Sequence, residues 1–109
     1  MSRAKGNIAE QKACDFLFDN GYTIIERNFY SRFGEIDIIV VKDEVLHFVE
    51  VKSGDDYEKA IQNITKTKLK KLIKTGDIYM KKAKFNQSYE YDAVIVTYDE
   101  IIHIENITI

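Results

Sequence analysis

The sequence has no proline and one cysteine, Cys14, and only five of its 109 residues are glycine. A lone thiol cannot close an internal disulfide, which excludes the disulfide-stapled scaffolds of small secreted proteins. No apolar segment follows Met1, so nothing marks the chain for export or for a membrane, and the cytoplasm is the expected compartment. Glycine-rich and serine-rich runs are also missing. With 45% apolar and 31% charged residues, the chain is expected to form one ordered domain over residues 1–109, its first few residues aside.

A strong overall charge is lacking too: the net value is −2, which argues against a generally polybasic nucleic-acid binder. The charge is unevenly spread, however. Residues 57–84 carry nine Lys/Arg against two Asp/Glu, whereas residues 85–109 carry no Lys/Arg and five Asp/Glu. Exposed charges act within a Debye length of roughly 8 Å, so the basic segment can attract a polyanion by itself.

What is present is periodicity. From Ala4 to Asn20, residues Ile8, Ala9, Ala13, Phe16 and Leu17 recur at helical spacing, and Asn20-Gly21 supplies a stop. YTIIERNFY, GEIDIIVVKD and EVLHFVEVKS read as three antiparallel strands separated by short polar breaks. From Lys59 to about Phe85, Ile61, Ile64, Leu69, Leu72, Ile73, Tyr79, Met80 and Ala83 form the stripe of a long amphipathic helix with a candidate interruption at Gly76-Asp77. YDAVIVTYD and EIIHIENITI close the chain as strands. The order α-β-β-β-α-β-β predicts an α/β fold in which a mixed sheet of about five strands is flanked by helices.

Charged residues inside two of these strands need a reason. Side chains alternate across a strand, so Phe48, Glu50 and Lys52 share one face while Val49 and Val51 share the other. On the preceding strand Glu35, Asp37 and Ile39 share a face, against Ile36, Ile38 and Val40. A hairpin centred on Asp43 puts residue 37 across from 49, and one step of register or a bulge puts Asp37 beside Glu50. Two carboxylates on neighbouring strands make an all-oxygen site suited to Mg²⁺ or Mn²⁺, which keeps waters for a substrate phosphate to displace. A lysine on the same face would either handle the attacking water or stabilise charge on the phosphorane. The pattern therefore points to metal-dependent hydrolysis of a phosphodiester.

Asp37 followed by E-V-K on the next strand resembles the PD-(D/E)XK nuclease superfamily. GNIAEQKACDFLFDNGY, ERNFYSRFGEIDIIV and FVEVKS, with the closing YDAVIV and IIHIEN, resemble the YraN-type (UPF0102) family of small bacterial proteins over nearly the whole chain. That family is predicted to be endonuclease-like, with a restriction-endonuclease-like fold similar to archaeal Holliday junction resolvases. The resemblance implies Asp37 and Glu50 as metal ligands with the Val51 backbone carbonyl, Lys52 as the catalytic lysine, and Glu10 of the first helix completing the site. Glu10 shares a helical side with Ala13, Cys14 and Leu17 and so borders the buried face. Its structural alternative is a salt bridge to Lys5 or Lys12. Where many relatives carry a basic residue, this chain has Ser53-Gly54 after the lysine and Glu90 before the YD strand.

Lys68 lies beside the apolar stripe and is the candidate phosphate contact of the basic segment. His47 and His103 stand apart on strands, without ligand-like spacing, and read as core or surface histidines. Cys14 reads as a packing residue. The expected function is a Mg²⁺- or Mn²⁺-dependent endonuclease acting on DNA, including branched or structured DNA. Its alternatives are a nuclease-fold module that binds nucleic acid without turnover and a protein-interaction domain using the edge of the last strand. A homodimer would match the two-fold symmetry of a junction.

Overall fold

The first helix, α1 (Arg3–Asp19), arises where small and apolar residues recur every three or four positions. The computed structural model describes residues 3–84 and 86–108, the side chains of 3–6 excepted. Ala9, Ala13, Cys14 and Leu17 of α1 are buried, whereas Ile8, expected in the same stripe, is 58% exposed. Ile8 stands one residue, about 100° of helical rotation, from Ala9 and turns outward. Gly21 ends the helix in the left-handed region at φ 90°. There the Gly21 N–H bonds the Phe18 carbonyl at 3.1 Å and the Tyr22 N–H the Leu17 carbonyl at 3.0 Å, as in a glycine-terminated helix.

Five strands follow from the β-branched and aromatic runs: β1 (Thr23–Ser31), β2 (Gly34–Lys42), β3 (Val45–Ser53), β4 (Ser88–Val96) and β5 (Ile101–Ile104). They form one sheet in the order β1-β2-β3-β4-β5. Only β3 and β4 pair in parallel, and the other neighbours are antiparallel. The mixed α/β sheet expected from the element order is therefore present. On one face α1 packs on Ile38, Val40, Val49, Val94 and Val96. On the other, Leu72 and Tyr79 pack with Phe29, Ile39, Leu46, Phe48 and Tyr91.

The connection between the parallel strands differs from the single long helix expected over Lys59–Phe85. It is two helices, α2 (Tyr57–Gln62) and α3 (Lys66–Ala83); Phe85 lies outside the described residues. The interruption falls at residues 63–65, because Thr65 is extended at φ −93° and ψ 163° and its side chain caps α3 by accepting from the Lys68 N–H. Asp56 caps α2 in the same way, through the Lys59 N–H. Gly76-Asp77 does not interrupt α3. Gly76 is instead where α3 lies closest to the sheet: a Cβ there would stand 2.7 Å from Tyr91 Cε1 and 2.8 Å from Cζ.

The strand expected from EIIHIENITI is shorter than its alternation suggests. β5 stops at Ile104, and Asn106, at φ 56°, turns the chain so that its N–H reaches Asp92. A four-residue edge offers little ladder for another chain to extend. No described helix is long and apolar enough to cross a membrane.

Candidate functional site

The hairpin between β2 and β3 decides how the charged residues meet. Its turn is Asp43-Glu44, with φ of 52° and 67°, the two left-handed residues of a two-residue type I′ turn. The centre therefore lies between 43 and 44, not on Asp43. Ile38 pairs with Val49, and continuing that register sets Asp37 against Glu50, one step from a hairpin centred on Asp43.

Beyond Ile38 the two strands part, and the Asp37 carboxylate takes the place of a backbone partner. Its Oδ2 accepts the Val51 N–H at 2.8 Å. Glu10, Glu35, Asp37, Glu50, Val51, Lys52 and Lys68 line one cleft of about 500 Å³, together with Ala9, Ser53 and Asn63. All the residues expected at the site thus come from α1, β2, β3 and α3 to a single concavity. Lys52 Nζ stands 3.5 Å from Glu50 Oε1, so the E-x-K pair meets along one strand face. Val51 shows its N–H in use toward Asp37.

Asp37 is 7% exposed. Burial, then the repulsion of Glu50, pushes its carboxyl up to about 9, against the opposing Val51 hydrogen bond. In the metal-free protein Asp37 therefore keeps a proton at neutral pH that the unfolded chain has already lost. Between about pH 4, where an unfolded Asp titrates, and about 9, the native state binds more protons than the unfolded one. The contribution of Asp37 to stability then falls as pH rises through this window. We expect thermal melts of metal-free protein to show this decline, and Asp37→Asn to remove part of it. Equal pH slopes for the two proteins would contradict the assignment.

Asn28 was not anticipated as a site residue, although it stands in the ERN string. It sits in β1 between Arg27 and Phe29, whose partners are Ile38 and Ile36, and so lies across from Asp37. Its backbone is left-handed at φ 55°, a conformation asparagine tolerates better than most residues. Its amide donates to Glu10 at 3.0 Å and to Glu35 at 3.2 Å, fixing two carboxylates at the cleft. Alternation on β2 fails beside it: Ile36 packs with Ile39 and Phe48, not with Ile38. The ion-pair partner of Glu10 is Arg27, at 3.7 Å, and not Lys12; the Lys5 side chain lies outside the described residues. Arg27 also donates to Gln11 at 2.9 Å. These bonds hold the first helix against β1.

Glu90 and the two histidines lie elsewhere. Glu90 does not line this cleft; it stands 3.6 Å from His47 in a separate one. His47 and His103 are not isolated, because the buried Asp92 joins them, with Oδ2 at 2.6 Å from His47 Nδ1 and 2.7 Å from His103 Nε2. Burial opposes ionisation of Asp92, but the hydrogen bonds from His103 and His47 hold its carboxyl well below the usual range. Cys14 is buried in the α1 core, as expected of a packing residue.

The sequence profile of the Uncharacterised protein family UPF0102 matches residues 9–96, which include every cleft residue. A UPF0102 protein of Sulfurimonas denitrificans is 66% identical over 109 residues, covering both chains completely. One from Aliarcobacter butzleri is 50% identical over 99% of each chain. One from Helicobacter hepaticus is 52% identical over 99% of this chain and 97% of its own. With a profile match over most of its length and similarity along the full chain, the protein belongs to the YraN-like family UPF0102.

Proposed function

We propose that this chain is a divalent-metal-dependent endonuclease that hydrolyses a phosphodiester of DNA, with structured or branched DNA as its substrate class. The observation that carries the reading is the convergence of Glu10, Asp37, Glu50 and Lys52 on one cleft, with Lys68 at its edge. The donor set fits a hard cation. It is made of carboxylate oxygens, and the crowding of Asp37 by Glu50 and Glu10 is relieved by a positive charge between them.

Asp37 and Glu50 would hold Mg²⁺ or Mn²⁺, with Glu10 and the Val51 carbonyl completing the set. When bound, the ion supplies Lewis acidity and a water of lowered pKa. Asn28 keeps Glu10 turned toward the cleft through its 3.0 Å bond. Lys52, held beside Glu50, donates to the attacking water or to the phosphate oxygen on which charge develops. Lys68, with exposed Lys66, Lys70, Lys71 and Lys74 on α3, draws in the DNA backbone. Binding at a protonated Asp37 must release a proton.

The test is calorimetry of Mg²⁺ and Mn²⁺ binding to wild type and Asp37→Asn, with and without DNA. Wild type should bind with proton release, and the variant should lose most of the affinity. No metal binding by wild type, even with DNA, removes the basis of the reading. Ser53 at the cleft, in place of a basic residue, favours a second reading: a nuclease-fold module that binds without cutting. Salt-dependent DNA binding with no metal-dependent cleavage would select it.

A further inference from the structure

The polar cluster around Asp92 lies apart from the cleft just described and shares no residue with it. Parallel pairing sets His47 of β3 beside Glu90 of β4, and antiparallel pairing sets His103 of β5 beside Val94. These registers bring His47, Asp92 and His103 to one sheet face, with Glu105 just past β5 and Tyr22 just past α1 beside them. Donor atoms of His47, Asp92, His103 and Glu105 lie within 4.8 Å of one another. Asp92 is fully buried and His47 is 5% exposed, and Glu90 Oε2 stands 3.6 Å from His47 Nδ1.

We propose that His47, Asp92, His103 and Glu105 form a second metal site, for a borderline transition ion such as Zn²⁺. Imidazole nitrogens and carboxylate oxygens are donors that zinc takes, four of them suffice for its tetrahedral geometry, and nitrogen donors disfavour Mg²⁺. With bonds of about 2.0–2.1 Å, tetrahedral ligand atoms stand roughly 3.3 Å apart. The 2.6 and 2.7 Å His–Asp contacts need to open only slightly to admit the ion. Both imidazoles would then present a lone pair where they now meet Asp92.

The surroundings already orient these groups as outer partners orient metal ligands. Asp92 Oδ1 accepts the Asn106 N–H at 3.0 Å, leaving Oδ2 for the centre. The Tyr22 hydroxyl donates to Glu105 at 3.3 Å, and its ring lies edge-on to His47 and His103, at 5.2 and 5.5 Å. A shallow cleft of about 290 Å³, lined by His47, Glu90 and Glu105 among others, gives a way in. Lys42 at its mouth is engaged with the Asn20 carbonyl at 2.8 Å. A bound ion would tie β3, β4 and the short β5 together.

The chain has two histidines, both at this site, so their ring nitrogen resonances report on it alone. Metal-free full-length protein is titrated with Zn²⁺ and with Mg²⁺, followed by NMR and calorimetry. Zn²⁺ should shift both imidazoles at one equivalent and raise the melting temperature; Mg²⁺ should move neither ring. Glu50→Gln, which damages only the other cleft, should leave this binding intact. His103→Gln and the exposed Glu105→Gln should weaken it by more than the roughly 10–100-fold cost of losing an outer partner. Unmoved imidazoles under Zn²⁺, or wild-type affinity in folded Glu105→Gln, would overturn the proposal.

Discussion

On the proposed nuclease reading, Glu50→Ala should abolish Mg²⁺-dependent DNA cleavage and Lys52→Ala should slow it severely, both leaving the fold intact. The two side chains are about one-fifth exposed and 3.5 Å apart at the cleft, outside both helix-covered cores. Removing Glu50 also relieves the repulsion that helps keep Asp37 protonated, so the variant should melt no lower than wild type. The two losses should differ in kind. Glu50→Ala takes away a proposed ligand, so metal binding and cleavage should fail together. Lys52→Ala keeps the carboxylates, so metal should still bind while the rate falls by about 10²–10⁴-fold, the range for a positioned proton-transfer group. Cleavage by both variants at the wild-type level would identify a contaminating nuclease and end the enzymatic reading.

Gly76→Ala should destabilise the protein, although alanine is the better helix former. Propensity alone predicts a gain of about 1 kcal/mol for the exchange in a helix interior. Here the new methyl would press into the Tyr91 ring, at 2.7 and 2.8 Å from two ring carbons and closer still to the hydroxyl. Tyr91 cannot swing away cheaply. It is 5% exposed, its ring lies 5.3 Å from that of Phe48, and its hydroxyl donates to the Ile73 carbonyl at 3.1 Å. Overpacking of a filled core costs about 1–3 kcal/mol, and the lost hydrogen bond adds about 1 kcal/mol. The net loss should be about 2 kcal/mol, a fall in melting temperature on the order of 10 °C for a domain of this size. In a Tyr91→Leu background the same exchange should cost much less, because the pair is in contact. A higher melting temperature for Gly76→Ala alone would show that α3 can lift from the sheet without penalty.

Lys52 and the carboxylates of the cleft were legible because their signal is local. E-V-K puts Glu50 and Lys52 on one strand face whatever the rest of the chain does, and Asp37 stands out as an acid inside an apolar run. The helix break at residues 63–65 was missed because the apolar stripe runs through it, and only the extended Thr65 reveals a cap. Gly76 drew attention as a helix breaker, yet its role depends on an aromatic residue fifteen positions later. Asn28 stands in the ERN string that carries the family resemblance, but nothing local says that a left-handed residue will face Asp37.

Spacing within single elements was enough for the order of helices and strands, for the shared face of Glu50 and Lys52, and for Asp37 as an acid in an apolar run, whereas the place of Glu10 at the site came from the family resemblance. Tertiary structure alone decided what depends on pairing between distant segments. The Asp43-Glu44 turn set the register that opposes Asp37 to Glu50. The parallel pairing of β3 with β4, and of β4 with β5 in the opposite sense, gathered His47, Asp92 and His103 from three strands, with Glu105 just past the last of them. A one-residue slip in either ladder would turn a whole strand over, and local patterns do not encode which register wins.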